Sequence, residues 1–141
     1  FLKGVRATKE GKWKTLDKNW YFNFTAHGGI IVSAREYAKL FQDLLKDDSK
    51  LLSKTSKELF FSEQIRYNKS RRAISWSIKE FEGTKYYSHT GGGLGYVSEV
   101  RYYPEYNIIS VLQINRTNVK ALNITNQLDR EIIEEIDFKP H

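Results

Sequence analysis

Apolar positions recur along this chain at two different periods, and the change of period divides it. Tyr37, Leu40, Phe41, Leu44 and Leu45 fall at i, i+3, i+4, i+7 and i+8, which places them on one face of an α-helix. Ser33 followed by Glu36 reads as a capping box, the serine accepting from an early helical N–H and the glutamate reaching back. Val32 and Tyr37 sit where a hydrophobic staple would. The helix should stop near Lys46, before the turn-forming Asp47-Asp48-Ser49-Lys50. Ser53 can cap a second, short helix through Leu59 to Phe61. Ile74, Trp76 and Ile78 then alternate with Ser75, Ser77 and Lys79, as in a half-buried strand. Glu82-Gly83 reads as a tight turn, Lys85 to Thr90 as the next strand, and Tyr96 to Tyr103 as another, closed by Pro104-Glu105-Tyr106-Asn107. Ile108 to Ile114 is almost continuously apolar, which suits a strand covered on both faces. Last, Ala121, Ile124, Leu128, Ile132 and Ile136 give a helical face, with Thr117 or Asn118 as its cap.

Helices, then strands in hairpin succession, then a helix predict an α+β fold whose antiparallel sheet has three to four strands with flanking helices. The 141 residues fit a single domain. Within it we expect an irregular, aromatic-rich lead-in over 1–27, a helical part over 28–62, the sheet over 63–116 and a terminal helix over 117–137. A chain of this size can bury about 68% of its unfolded surface, so a true core is possible.

Charge changes this picture little. The formal charge of +6 could draw nucleic acid. However, the basic residues are spread along the chain, and the densest cluster, Lys69-Ser70-Arg71-Arg72, adjoins a turn; a solvated surface is expected and no nucleic-acid partner. The absence of cysteine removes disulfides and thiolate metal sites. His27, His89 and His141 are far apart in sequence, so no metal site and no cofactor is expected. No apolar run approaches the roughly 18 residues of a membrane span.

The chemistry concentrates in Tyr86-Tyr87-Ser88-His89-Thr90-Gly91-Gly92-Gly93-Leu94-Gly95-Tyr96. A dinucleotide fingerprint would need a glycine where Tyr96 stands and a helix after it. A phosphate loop would need Gly-Lys-Ser/Thr, which is absent. On local chemistry alone, a flexible hairpin loop beside an ordinary strand histidine stays open.

Three segments in order narrow the choice: Gly28 to Leu45, Ile74 to Phe81, and His89 to Asn115. Together, across roughly residues 28 to 136, they resemble the C-terminal portion of the serine β-lactamase and penicillin-binding-protein family. The branch most similar holds class C β-lactamases, D-alanyl-D-alanine carboxypeptidases and related esterases. There the third active-site motif is Lys-Thr-Gly or His-Thr-Gly on a strand edging the cleft; here it reads His89-Thr90-Gly91. The resemblance implies a partial β-lactamase-like (transpeptidase-like) fold and acyl-serine chemistry on a β-lactam, D-Ala-D-Ala peptide or ester. It implies a substrate lying along the strand as an added strand. His89 would supply positive charge or a hydrogen bond near the substrate carboxylate, Thr90 a hydroxyl to it, and Gly91 room for approach. The backbone N–H of Gly92 would be an oxyanion donor, and Gly93 would prolong the bare binding margin. Histidine at 89 leans towards carboxypeptidase or esterase relatives. An extracytoplasmic, bacterial setting is implied too.

The family's nucleophile motif, Ser-x-x-Lys, is absent: no serine of the chain has lysine three positions on. Tyr21-Phe22-Asn23 matches the second motif literally but stands too close to Gly28 for the family's order. The chain alone is therefore expected to be inactive and to need the missing N-terminal part of the same protein. The strand over 108–115 would then offer an exposed edge, through which a homo-dimer could form. A non-catalytic binding module of the same fold is the alternative.

Overall fold

The computed structural model describes residues 4–15, 28, 30–93 and 95–137. Tyr21-Phe22-Asn23, His27 and His141 lie outside these. Two short strands, β1 (Val5–Ala7) and β2 (Trp13–Thr15), pair antiparallel in the lead-in, where the sequence suggested an irregular course with room for a short strand. Helix α1 (Ala34–Leu45) and helix α2 (Lys54–Phe61) follow. Then come β3 (Ile65–Tyr67), β4 (Ser70–Arg72), β5 (Ser77–Phe81), β6 (Thr84–Gly93), β7 (Tyr96–Tyr103) and β8 (Ile108–Ile114), and finally α3 (Ala121–Asp137).

The capping box at α1 is formed. Glu36 N–H donates to Ser33 Oγ at 3.2 Å, and Ser33 N–H donates to Glu36 Oε2 at 3.1 Å. Ser53 caps α2 by accepting from Ser56 N–H at 3.1 Å.

The main sheet is antiparallel throughout and runs in sequence order, β3-β4-β5-β6-β7-β8. Its six strands exceed the three or four expected, because Tyr67-Asn68-Lys69-Ser70 closes a β3–β4 hairpin with Asn68 at φ 51°. The strand expected from Ile74 begins instead at Ser77. Ala73 and Trp76 exchange backbone hydrogen bonds of 2.9 and 3.4 Å, and Ser75 adopts φ 62°. Ile74 and Ser75 are thus the two central residues of a turn, and the apparent alternation there is a hairpin tip. The expected caps of α3 are not caps either. That helix starts at Ala121, Asn118 turns the chain at φ 62°, and Thr117 Oγ1 is buried without a partner among the described residues.

The sheet is covered on both faces. On one, Phe41 of α1 meets Trp76 edge-on, with ring centroids 5.2 Å apart. Ile78, Tyr87 and Val100 complete that core, with Phe60 and Phe61 of α2 packed against it. On the other, α3 lies over β7 and β8. Covering both faces explains why β8 reads as a nearly unbroken apolar run.

Candidate functional site

The site residues expected from the sequence lie together on the second half of β6. His89, Thr90, Gly91 and Gly92 are exposed and Gly93 is half-buried, all of them in strand conformation. The three glycines therefore extend the strand and do not form the loop that local chemistry left open; the bend comes after them, where Gly95 has φ 97°.

Hairpin geometry fixes which way the backbone of β6 points. Phe81 and Thr84 close a two-residue turn, with Glu82 at φ 50° and Gly83 at φ 81°. The closing pair of such a turn is hydrogen-bonded, and hydrogen-bonded pairs then alternate along the ladder. Thr84, Tyr86 and Ser88 accordingly direct N–H and C=O at β5, and the same parity carries Thr90 and Gly92 to that side. The turn from Gly93 to Tyr96 gives the same parity independently, sending Tyr87, His89, Gly91 and Gly93 to β7. But β5 ends at Ser77, opposite Ser88. Thr90 and Gly92 thus present their backbone donors and acceptors on a margin against which no described strand lies.

Side chains alternate the other way. His89 and Gly91 share the face of Tyr87 and Val100 under α1, while Thr90 shares the face of Ser88 and Arg101 under α3. A Cβ on Gly91 would lie 2.5 Å from Ser98 Oγ, so that hydroxyl would have to turn away. On Gly92 a Cβ would come no nearer than 3.9 Å, to the Tyr96 carbonyl. The fold itself therefore makes no demand for glycine at 92.

Directly behind this margin lies a buried polar cluster that the sequence reading did not find. Arg101 Nε donates to Glu99 Oε1 at 2.9 Å, and Arg101 Nη1 donates to Asp129 Oδ2 at 3.0 Å. Tyr103 Oη donates to the same Asp129 oxygen at 2.7 Å, and Thr125 Oγ1 donates to Glu99 Oε2 at 3.1 Å. The Arg101 guanidinium also stands over the Tyr86 ring, 4.9 Å from its centroid. Burial alone would lower the arginine's pKa; hydrogen bonds with Glu99 and Tyr103 and the glutamate charge outweigh it and hold it above its ordinary value. Burial pushes the Tyr103 hydroxyl up as well, with Arg101 opposing and Asp129 reinforcing. Glu99 pairs with Thr90 and Arg101 with Ser88 across the ladder, so the cluster anchors the strand that backs the margin. The signal was Glu99-Val100-Arg101, two charges on one face of a strand otherwise rich in aromatic and branched residues.

Among the described residues no group of histidine, aspartate and glutamate side chains is placed to hold a metal ion, and no helix is long and apolar enough to cross a membrane.

A family model described as Beta-lactamase matches residues 3–133. The octameric penicillin-binding protein homologue from Pyrococcus abyssi superposes with a TM-score of 0.82 at 22% identity, covering 94% of this chain and 30% of that one. A penicillin-binding protein from Bacillus halodurans gives a TM-score of 0.66 at 18% identity, covering 93% of this chain and 40% of that one. At these identities the likeness is one of fold, and the chain spans well under half the length of either. No curated protein matches it.

Proposed function

The chain belongs to the β-lactamase family, and from that premise we propose that it is the substrate-aligning part of a serine hydrolase working through an acyl-serine intermediate. The observation that carries this reading is the margin of β6, where Thr90 and Gly92 aim backbone groups outward, opposed by no described strand, beside an exposed histidine. An acyl donor lies there as an added strand, held by main-chain hydrogen bonds. Gly92 N–H is an oxyanion donor, His89 serves the proton-transfer network and the substrate carboxylate, Thr90 offers that carboxylate its hydroxyl, and Gly91 and Gly93 keep the margin bare. The nucleophile comes from sequence outside residues 1–141, since Ser-x-x-Lys does not occur within them. The substrate class is a β-lactam, a D-Ala-D-Ala peptide or an ester, with histidine at 89 favouring carboxypeptidase or esterase activity. Such an enzyme works outside the cytoplasm. The free edge of β8 pairs with the rest of the same protein or, when the chain is alone, with a second copy.

Labelling with a fluorescent penicillin and a fluorophosphonate tests this. Residues 1–141 alone should take no label and turn over no nitrocefin, while the full-length protein should be labelled on a serine outside them. Label on a serine within 1–141 overturns the division of labour. An unlabelled full-length protein without Ser-x-x-Lys overturns the hydrolase reading in favour of a binding module.

A further inference from the structure

A hydroxyl that the proposed reaction does not use leans onto the β6 margin from β7. Ser98 faces Gly91 across the ladder, and its Oγ lies 2.5 Å from the position a Gly91 Cβ would take. The hydroxyl therefore reaches across to β6, into the space that the glycine leaves. Ser98 is half-buried, and its hydroxyl has no hydrogen-bond partner among the described residues.

Strand geometry sets His89 beside it. His89 precedes Gly91 by two residues and faces Val100, which follows Ser98 by two. All four positions share one face of the sheet, and His89 and Ser98 are diagonal neighbours on it. The right-handed twist of the pair brings this diagonal together, the residue two before the direct partner, rather than the opposite one. Two residues of strand rise put the His89 Cβ about 7 Å from the Gly91 position that Ser98 Oγ adjoins, and such diagonals lie within reach of an aromatic ring. With glycine at 91 no side chain stands between them. The other neighbours of His89 on this face make poor partners. Val100 is apolar, and Tyr87 is buried, its ring packed on Phe61 and Tyr102 at centroid distances of 4.9 and 6.3 Å.

We infer that Ser98 is a positioning residue: its hydroxyl hydrogen-bonds the His89 imidazole, holds the ring along the margin and selects the nitrogen turned to the acyl donor. An exposed histidine otherwise samples several rotamers, and the bond made by one ring nitrogen fixes the role of the other. The inference rests on the hydrolase reading above and adds to it a residue that acts through His89 and touches no substrate.

The test uses full-length wild type, Ser98→Ala, Ser98→Thr and Ser98→Val, with nitrocefin and p-nitrophenyl acetate as substrates. Loss of one hydrogen bond predicts that Ser98→Ala and Ser98→Val lower kcat about 3- to 10-fold, with KM changed less than about 2-fold. Ser98→Thr keeps the hydroxyl and should recover most of the loss, whereas Ser98→Val, of similar shape, should not. In a His89→Ala background, Ser98→Ala should change kcat by less than about 1.5-fold, because nothing is left for it to act through. The imidazole nitrogen NMR shifts of His89 should move towards the tautomer mixture of free histidine in Ser98→Ala and return in Ser98→Thr, a change that a packing role would not produce. Wild-type kcat in Ser98→Ala, equal activity of Ser98→Thr and Ser98→Val, or the same loss with and without His89 overturns the inference while the hydrolase reading stands. A wild type that hydrolyses neither substrate and takes no acyl label overturns both.

Discussion

Gly92 is a residue at which fold and proposed chemistry make separable demands. The fold leaves space for a Cβ there, and the hairpin parity sends its N–H away from β7. Proline at 92 therefore removes the proposed oxyanion donor without breaking a ladder bond, the one situation in which an edge strand accepts proline. In the full-length protein, Gly92→Pro should lower the acylation rate by about 10²–10³-fold, the usual consequence of losing one such donor, with little change in Tm. Gly91→Pro is the counter-experiment. The Gly91 N–H belongs to the β6–β7 ladder and its Cβ position is crowded by Ser98, so this variant should lose stability as well as activity. Acylation measured against Tm separates the two; a Gly92→Pro enzyme acylating at the wild-type rate removes Gly92 from the oxyanion role.

At the level of elements, what was legible in the sequence was whatever local chemistry decides. The α1 capping box, the Ser53 cap and the turns at Glu82-Gly83 and after Tyr103 depend on residues a few positions apart, and the structure has them. The β3–β4 hairpin escaped because strands of three residues leave no period to count. The Ile74 to Ile78 alternation misled because a two-residue turn also alternates. The cluster that docks α3 was invisible for a different reason: Arg101 and Asp129 are far apart in sequence and meet only once the helix has chosen its face. Two buried carboxylates around one guanidinium make that choice hard to reverse. Arg101→Met would leave Glu99 and Asp129 charged and uncompensated, so it should destabilise the protein by about 3–5 kcal/mol. The replacement of all three by apolar residues of similar volume should recover most of that. Chemical denaturation with an unchanged m-value checks both; a single variant within about 0.5 kcal/mol of wild type, the range of ordinary surface changes, would mean that the cluster does not hold α3.

For the whole molecule, the unfinished side is the edge of β8. The parity that turns Thr90 and Gly92 outward on β6 runs through β7 and turns the backbone groups of Ile109, Val111 and Gln113 away from β7. No described strand pairs with β8 there; β1 meets the chain just beyond it, where Val5 N–H donates to the Asn115 carbonyl at 2.9 Å. Above the same edge, Leu128, Ile132 and Ile136 of α3 remain 47%, 42% and 42% exposed. The sequence read these residues as a core-facing stripe, yet the buried residues of α3 are Thr125 and Asp129. Stripe and reading are reconciled if the apolar residues await a strand beside β8 that the described residues do not supply. An open apolar strand without charge, proline or bulge is a template for pairing with another copy. The isolated chain should therefore self-associate with rising concentration, in light scattering or sedimentation. Gln113 is exposed and its N–H points outward, so Gln113→Pro should remove a pairing donor while sparing the β7–β8 ladder. It should shift the isolated chain towards monomer without loss of its circular dichroism. A wild-type chain that stays monomeric at high concentration, or a Gln113→Pro variant that associates just as strongly, would locate the association elsewhere and leave the β8 edge without a demonstrated partner.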